Sequence, residues 1–299
     1  MSKNIKEIHS VAYKDYPLKK YLLEYYQINE EDIRNYFRDA RYTILYCDSC
    51  GLYFQKEIPP NRIIELLYEK WINPDFVYKN LVSKRAFSYY ENLLAEIIYI
   101  IRFTKKQPNE IYLLDIGMGW GEWCLMAKAL GCNVFGTELS KTRIQYAKKN
   151  GITILELGDI AKYKFDVINA EQVFEHLPYP LEYLTELSKS MNQDSILKIN
   201  VPKDNKIRYK LKRMVNEPMK QSKYQIKFIA PLEHLNGFNY NSLVTMGKLA
   251  GLSPIKFYKN QVAIIQKPFY LSFAKAIGKS MIRKVLSILR KDTYIAFSR

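Results

Sequence analysis

The fold is decided by the stretch Ile111-Tyr-Leu-Leu-Asp115-Ile-Gly117-Met-Gly119-Trp-Gly121-Glu-Trp123, an apolar run that ends in an acid and opens into alternating glycines. This pattern predicts a strand, a tight turn and the start of a helix, because glycine adopts tight-turn conformations and lets a ligand approach the backbone. The next apolar run, Val134-Phe-Gly-Thr-Glu138, also ends in an acid, which is placed to accept hydrogen bonds from ribose hydroxyls. Together the two runs predict a nucleoside-type cofactor at the carboxyl edge of a parallel sheet.

From residue 111 onward, short apolar strands alternate with helical segments. Such alternation with short turns predicts an α/β fold with a doubly wound, mainly parallel, seven-stranded sheet. We expect strands near 111–116, 132–137, 152–156, 165–169, 195–201, 253–258 and 261–266, and helices near 120–130, 140–150, 179–190 and 239–250. Because only a short turn separates the last two strands, they should form an antiparallel hairpin at one edge.

The N-terminal residues do not follow this rhythm, and they predict a small α+β extension. A helix near 19–26 precedes a hairpin whose strands, 42–46 and 52–55, flank the turn Cys47-Asp-Ser-Cys50-Gly51. A short helix near 62–71 follows two prolines, and residues 84–103 have the apolar spacing of a helix that packs beside the sheet.

The composition indicates a cytoplasmic globular protein. The 299 residues are 48% hydrophobic, which is enough for a full core. No apolar run reaches the roughly 18 residues of a membrane-spanning helix, and the N-terminus lacks the apolar block of a signal peptide. Four cysteines do not form the disulfide framework of a secreted protein.

The formal net charge of +16 indicates either an anionic partner or a solvated Lys-rich surface. The basic segment 203–227 either caps the active site and meets a phosphorylated or nucleotide-linked substrate, or forms a solvated loop. Residues 269–291 predict a basic amphipathic helix. We favour its docking on the sheet; the alternative is peripheral contact with the inner face of an anionic membrane, which would suit a lipid-linked acceptor.

Four motifs follow one another at suitable spacing. They are Leu114-Asp-Ile-Gly-Met-Gly-Trp-Gly121, Gly136-Thr-Glu138-Leu-Ser140, Gly158-Asp159-Ile160 and Phe165-Asp-Val-Ile-Asn-Ala-Glu-Gln-Val-Phe-Glu175-His176-Leu-Pro178. This set resembles the class I S-adenosylmethionine-dependent methyltransferases, especially the bacterial group that modifies sugars and small molecules. The resemblance covers about residues 85–266, and it implies a Rossmann-like methyltransferase sheet with S-adenosylmethionine as cofactor.

The resemblance also assigns parts of the cofactor to residues of this chain. Glu138 would bind the ribose hydroxyls, Asp159 the exocyclic amine of adenine, and the backbone of Ile160 the ring nitrogens. Asp115 and the loop amides would hold the methionine end, and Glu171 would line it, with a solvated helix-start acid as the alternative for Glu171. The cofactor-binding set is Asp115, Gly117, Met118, Gly119, Gly121, Glu138, Leu139, Asp159, Ile160 and Glu171.

Two other nucleotide-binding patterns fit less well. A phosphate-binding P-loop carries Lys and Ser or Thr after its glycines, whereas Glu122 and Trp123 stand here. A dinucleotide dehydrogenase keeps two residues before its third glycine, whereas Trp120 alone separates Gly119 from Gly121. The spacing therefore favours the methyltransferase form.

Methyl transfer to a hydroxyl needs a base, and imidazole is the commonest one. We discount His9, because it lies in a terminal segment that we expect to fray. His176 follows the fourth strand of the alternating region, and His234 begins a His-Leu-x-x-Phe element that related methyltransferases carry near the substrate. Both are candidate catalytic residues; the structural alternatives are ordering of the Glu175–Pro178 turn and packing on Phe238.

Cys47-Asp-Ser-Cys50-Gly51 is half of a zinc knuckle, and Gly51-Leu-Tyr-Phe54 resembles the segment that follows it in the N-terminal zinc ribbon of some sugar methyltransferases. Structural zinc usually takes four protein ligands, and residues 20–46 contain no Cys or His for a second pair. We therefore expect a degenerate ribbon and no metal.

These observations predict an N-terminal extension at 1–80, a methyltransferase domain at 81–268 with a basic insertion at 203–230, and a C-terminal helix within 269–299. The favoured function is methyl transfer to a hydroxyl of a saccharide or glycoconjugate in surface-polysaccharide biosynthesis. Methylation of nucleic acid is less favoured, since Asn169-Ala-Glu-Gln replaces the Asn/Asp-Pro-Pro-Tyr/Phe element that amino-directed nucleic-acid enzymes commonly use. A third alternative is a non-catalytic protein that binds cofactor or glycan.

Overall fold

The computed structural model describes residues 4–72, 84–203, 206–216, 227–255 and 292–298. Its α-helices, in chain order, are α1 Leu18–Tyr25, α2 Glu30–Phe37, α3 Asn61–Leu66, α4 Phe87–Thr104, α5 Glu122–Ala129, α6 Lys141–Lys149, α7 Pro180–Lys189, α8 Ile207–Asn216 and α9 Tyr240–Leu249. Its strands are β1 Ile5–Ala12, β2 Arg41–Cys47, β3 Tyr53–Gln55, β4 Tyr112–Ile116, β5 Asn133–Gly136, β6 Thr153–Ile154, β7 Phe165–Glu171, β8 Met191–Pro202, β9 Asn236–Gly237, β10 Ser253–Ile255 and β11 Asp292–Ser298. A π-helical turn, Leu67–Trp71, continues α3, and the shorter 3-10 turns include Leu157–Lys162 and Phe174–His176.

The described residues divide into two compact units. Unit 1 takes those of 1–85, 172–180 and 201–245, and unit 2 takes those of 86–171, 181–200 and 246–299. The described part of the basic insertion groups with the N-terminal residues in unit 1.

Unit 2 contains a seven-stranded sheet in the order β10-β11-β8-β7-β4-β5-β6. The pairs β4–β5, β4–β7, β5–β6 and β7–β8 are parallel, which confirms the predicted mainly parallel sheet. The strand β4 is central, and its Leu113 and Leu114 are both fully buried, as expected for a parallel strand covered on two faces. Helix α4 adds Leu93, Ile97 and Ile100 to the core that this sheet forms. The carboxyl ends of β4 and β5 are therefore neighbours, and each precedes one of the predicted cofactor motifs.

The edge of this sheet differs from expectation. The described partner of β10 is β11, with Ser253 opposite Ser298 and Ile255 opposite Ala296 in antiparallel register. The expected partner at 261–266 and the predicted helix at 269–291 both lie outside the described residues. Phe297 is fully buried, and its ring fills the space that a Cβ at Gly247 would need, so the strand is anchored by close packing on α9.

Unit 1 contains a four-stranded sheet in the order β1-β2-β3-β9, whose three pairings are all antiparallel. The predicted hairpin of β2 and β3 is confirmed, with Ile44 opposite Gln55 and Tyr46 opposite Tyr53. The core beside the sheet is rich in aromatic residues, including Tyr13, Tyr21, Tyr26, Phe37 and Tyr42.

The expectation for His9 was wrong. This residue lies in β1, which pairs with β2 from Ile5 to Ala12, so the segment does not fray. The imidazole is buried and meets the ring of Tyr42 edge-to-face, with the ring centroids 5.8 Å apart. Burial lowers the pKa of His9, and the residue is part of the core of unit 1.

Helix α8 of the basic insertion packs within unit 1. Its Ile207 and Leu211 are buried in the aromatic core, while the Arg208 guanidinium lies 4.2 Å from the ring centroid of Tyr46 and donates to the Tyr53 hydroxyl at 3.2 Å. Thus the described part of the segment is neither a free loop nor a purely charged surface. Separately, no helix among the described residues has the length and apolar character needed to cross a bilayer.

Candidate functional site

The glycine turn after β4 has the backbone conformation that its sequence predicts. Gly117, Gly119 and Gly121 have φ values of 61°, 58° and 71°, a region that side chains with a Cβ rarely adopt. The amide of Gly117 donates to Thr137 Oγ1 at 3.1 Å, and the amide of Met118 donates to the Thr137 carbonyl at 3.0 Å. Apart from Gly119 and its two chain neighbours, no atom of the described residues lies within 4 Å of the position that a Cβ on Gly119 would occupy. Among these residues, this face of the turn is open to a ligand.

The carboxylate of Glu138 is fixed against this turn. Its Oε2 accepts from the Gly119 amide at 3.0 Å, and its Oε1 accepts from the amides of Leu139 and Ser140, each at 2.9 Å. Arg143 Nη1 lies 3.5 Å from Oε2. The acid that the sequence places at the ribose thus contacts the glycine turn directly, which joins two of the four motifs.

Asp115 lies at the end of β4 and is buried, with 4% of its surface exposed. Its Oδ1 accepts from Asn169 Nδ2 on the neighbouring strand β7 at 2.7 Å. Burial raises the pKa of Asp115 to about 7, and the hydrogen bond from Asn169 opposes that rise. A carboxyl group in this state bears only part of its charge near neutrality, and it holds the start of the glycine turn against β7.

Glu171, at the end of β7, belongs to a network of charged residues. Lys198 Nζ on β8 donates to Glu171 Oε2 at 2.9 Å and to Glu96 Oε1 at 2.5 Å. Asn200 Nδ2 donates to Glu171 Oε1 at 2.6 Å, and Trp123 Nε1 donates to Glu96 at 3.2 Å. Burial disfavours the Lys198 ammonium, but Glu96 and Glu171 outweigh burial and raise its pKa. The ammonium is therefore charged, and it holds Glu171 in one orientation.

The remaining cofactor candidates lie after β5 and β6. Leu139 is exposed, and Met118 is buried beneath the glycine turn. Asp159 is half-exposed and pairs with Lys162 Nζ at 2.5 Å, while Ile160 is buried and its carbonyl accepts from Ser190 Oγ at 3.1 Å. All ten candidates belong to unit 2.

Sequence reasoning missed Asn169, Lys198 and Glu96 as parts of this site. The signal was present for two of them, since Lys198 interrupts the buried strand run Ile196-Leu-Lys-Ile199. Glu96 falls on the apolar face of α4, three residues after Leu93 and next to Ile97. We expect two such buried residues of opposite charge to pair with each other, because burying either charge without a partner is costly.

The two candidate catalytic histidines meet in unit 1. The ring centroids of His176 and His234 are 4.7 Å apart, and the rings are nearly perpendicular at 81°. His176 Nδ1 lies 2.8 Å from the Glu233 carbonyl, and His176 Nε2 lies 3.9 Å from Glu175 Oε1. A carbonyl oxygen can only accept, so Nδ1 carries the proton and Nε2 presents a lone pair towards the cluster. Burial lowers the pKa of His176, against the opposing effect of the Glu233 carbonyl, which favours the neutral ring.

The loop that carries His234 is held by side chains from the N-terminal region. Tyr26 Oη donates to the Pro231 carbonyl at 2.6 Å, and Gln55 Nε2 donates to the carbonyls of Ala230 and His234, each at 3.0 Å. Asn236 Nδ2 donates to the Leu177 carbonyl at 2.7 Å, which ties this loop to the turn that carries His176. These buried hydrogen bonds fix the relative positions of the two histidines.

The cysteine pair of the predicted degenerate ribbon has free thiols. Across the described ranges, the group of three side chains suited to hold a metal ion is Glu175, His176 and His234, and neither Cys47 nor Cys50 belongs to it.

Comparison with known proteins identifies the family. A family model described as "Methyltransferase domain" matches residues 87–256, which is more than half of the chain. The chain is 32% identical over 143 residues to the ubiquinone biosynthesis O-methyltransferase of Pelagibacter ubique (strain HTCC1062), a match covering 43% of this chain and 58% of the relative. The chain therefore spans somewhat over half of that relative's length.

Solved structures show the same fold at low sequence identity. The plantazolicin methyltransferase BpumL, in complex with a pentazolic desmethylPZN analogue and S-adenosylhomocysteine, has a TM-score of 0.51 at 16% identity, covering 79% of this chain and 94% of that chain. The same enzyme with S-adenosylhomocysteine alone has a TM-score of 0.50 at 16% identity, covering 79% and 92%. With its parallel sheet, its glycine turn and the family match over residues 87–256, the chain belongs to the methyltransferase domain family.

Proposed function

We propose that this protein transfers the methyl group of S-adenosylmethionine to a hydroxyl of a small-molecule acceptor. The observation that carries the proposal is the contact between Glu138 and the Gly119 amide, which places a fixed carboxylate beside an open glycine turn. The similarity to an O-methyltransferase supports oxygen as the atom that receives the methyl group.

In the proposed complex, the ten candidate residues contact different parts of the cofactor. Glu138 accepts from the ribose hydroxyls, while Gly117, Met118, Gly119 and Gly121 bring the turn's backbone close to the methionine end. Leu139, Asp159 and Ile160 contact the adenine side, and Asp115 and Glu171 face the amino-acid end. The Lys198 network serves this role by holding Glu171 in place.

The reaction is an in-line displacement at the methyl carbon. The acceptor oxygen forms a bond to that carbon, the bond from carbon to the sulfonium breaks with its electron pair moving to sulfur, and S-adenosylhomocysteine leaves. The acceptor's proton must also leave, and we propose that the cluster of Glu175, His176 and His234 handles it. Alignment of donor and acceptor supplies the rest of the acceleration.

For the acceptor we propose a hydroxyl of a saccharide or glycoconjugate, the class indicated by the sequence resemblance. The second candidate is an acceptor of quinone biosynthesis, which the similarity to the Pelagibacter enzyme favours. An aromatic hydroxyl serves as a chemical model of that acceptor.

Methyl-labelled S-adenosylmethionine tests the proposal directly. The protein is incubated with three acceptor pools, namely nucleotide sugars with oligosaccharides, aromatic diols, and RNA. The products are analysed by mass spectrometry and by the chemical shift of the new methyl group. We expect an O-methyl product from the first or second pool; label in RNA alone, or an N-methyl product, would contradict the proposal.

Variants of the histidines test the assignment of the proton-handling cluster. His176→Gln and His234→Gln should each lower kcat by about 10²–10⁴-fold, the usual contribution of a positioned acid or base, while the affinity for S-adenosylhomocysteine stays unchanged. His9→Gln changes a buried histidine outside the cluster and is the matched control, with activity close to wild type. Full activity in both cluster variants would remove the assignment.

A further inference from the structure

Three side chains of unit 1 offer ligand atoms to a common point. Glu175, His176 and His234 each contribute one donor atom, and these atoms all lie within 4.8 Å of one another. Glu175 is fully buried, and His234 has 6% of its surface exposed, so the donors meet inside the unit. The side chain of His176 is partly exposed, at 27%, which leaves a way in for an ion or a small ligand.

The chemistry of these donors fits a transition-metal ion. Neutral imidazole nitrogen suits Zn²⁺, Cu²⁺, Fe²⁺ and Ni²⁺, and two histidines with one carboxylate form a recurrent ligand set with open positions. Mg²⁺ and Ca²⁺ prefer oxygen ligands, and Cys₄ structural zinc sites are closed. The cluster supplies two nitrogens and one carboxylate, so it matches neither of those classes.

The hydrogen bonds around His176 have the arrangement of a metal ligand. Its Nδ1 donates to the Glu233 carbonyl at 2.8 Å, and its Nε2 lies on the side of Glu175, at 3.9 Å from Oε1. Ligating histidines almost always donate their other ring N–H to a carbonyl or carboxylate, which fixes the tautomer and the ring orientation.

The backbone that carries the ligands is fixed without help from an ion. Gln55 and Tyr26 donate to three carbonyls of the His234 loop, and Asn236 donates to the Leu177 carbonyl beside the Glu175–His176 turn. A rigid frame places ligands before the ion arrives, which lowers the entropic cost of binding.

We propose that Glu175, His176 and His234 bind one divalent first-row transition-metal ion, with Zn²⁺ as the reference ion and at least one coordination position open. Binding of the metal does not depend on the acceptor. Its use in methyl transfer rests on the proposed function. An acceptor oxygen or water at the open position would lose its proton more readily, because zinc lowers the pKa of a bound water to about 7. The histidines would then act on the proton through the metal.

Metal titration of the whole protein tests the site. The chain is freed of metal with a chelator, and Zn²⁺ and Co²⁺ are titrated separately against a chromophoric competitor, with S-adenosylhomocysteine affinity and circular dichroism measured in parallel. We expect one ion per chain, and a Co²⁺ absorption spectrum typical of nitrogen and oxygen ligands without a thiolate charge-transfer band. Mg²⁺ at the same concentration should not compete.

Variants distinguish this site from the cysteine pair. Glu175→Gln, His176→Gln and His234→Gln should each weaken Zn²⁺ binding by at least about 10–100-fold, the scale seen when even an outer partner of a metal ligand is lost. Cys47→Ser together with Cys50→Ser, and separately His9→Gln, should leave the affinity unchanged. Because three ligand variants are tested, misfolding of one still leaves two informative ones.

Two results would overturn the proposal. One is the absence of stoichiometric Zn²⁺ binding by folded chain that still binds S-adenosylhomocysteine, an outcome that leaves the proposed methyl transfer intact. The other is binding that survives in the folded ligand variants and is lost when the cysteines are replaced. Metal binding with no methylated product from any acceptor pool would instead support the site and contradict the proposed function.

Discussion

Replacing Lys198 by methionine should lower the free energy of unfolding by about 3–5 kcal/mol, the usual cost of removing one partner of a buried ion pair. The magnitude follows from burial, because the Lys198 and Glu96 side chains are only 3% and 1% exposed and lie 2.5 Å apart. Methionine fills a similar volume, so little of the loss should come from packing. The main cost is the Glu96 carboxylate, which stays buried without its cation.

A double-mutant cycle separates the ion pair from other effects. Glu96→Gln keeps an oxygen that accepts from Trp123 Nε1 but removes the charge. In the double variant, Lys198→Met with Glu96→Gln, no charge of this pair remains in the core, so most of the stability should return. We expect a coupling energy above about 1.5 kcal/mol, within the range for residues that share one network.

The matched control is an ion pair of similar length on the surface. Lys189 Nζ lies 2.6 Å from Glu186 Oε1, with the side chains 59% and 64% exposed. Lys189→Met should therefore cost no more than about 0.5 kcal/mol. Urea unfolding followed by tryptophan fluorescence measures all four variants. A cost below about 1 kcal/mol for Lys198→Met, or a double variant no more stable than that single variant, would contradict a buried ion pair as the source of the stability.

Further predictions concern Asp115 and Gly119. Burial raises the pKa of Asp115 from 3.8 to about 7, so the folded state holds its proton more tightly; this stability is complete below pH 3.8 and is lost as the pH rises through 7. Asp115→Asn should abolish that loss and raise the free energy of unfolding at pH 8 by up to about 4 kcal/mol. Urea unfolding at pH 5 and pH 8 measures the effect. A pH dependence unchanged from wild type would contradict it. Gly119→Ala should cost about 1–2 kcal/mol for its positive φ and weaken S-adenosylhomocysteine binding at least tenfold. Gly251→Ala, also at positive φ with open space around a Cβ, should cost the same stability without changing the affinity, and equal affinities in both variants would contradict the role of Gly119.

The parallel core of the fold was predictable because its signals are local. Strand β4 is an apolar run that contains an acid near its end and is followed by a glycine, and the structure places it within one residue of the predicted range. The conformation of each glycine turn, and the start of the helix that follows it, are set by residues close by in the sequence. In contrast, the partner of β10 depends on a contact between segments nearly 40 residues apart, Ser253–Ile255 and Asp292–Ser298. Periodicity along the chain cannot report such a pairing.

The same distinction applies to the candidate site. The sequence predicts that Glu138 and the glycine turn bind one cofactor, and the structure adds that the two are in contact. The sequence also proposes His176 and His234, but as separate candidates for one base, because nothing in the sequence shows that residues 58 positions apart are in contact. Their proximity comes from Gln55 and Asn236, which hold the loop and the turn together. In the sequence, Glu175 is only part of the motif that precedes His176. Its burial beside the two histidine rings is what suggests a metal ligand.

The most direct test is calorimetric titration of S-adenosylhomocysteine and of its 2′-deoxyribose analogue into wild type, Glu138→Gln and the exposed-acid control Glu156→Gln. We expect wild-type affinity for S-adenosylhomocysteine in the micromolar range and weaker binding of the deoxy analogue. Glu138→Gln should lose about 10–100-fold in affinity, the value of a hydrogen bond to a charged group, and should no longer distinguish the two ligands. Glu156→Gln should behave as wild type. Unchanged affinity in folded Glu138→Gln, with discrimination against the deoxy analogue retained, would contradict the assignment of the cofactor's ribose to Glu138.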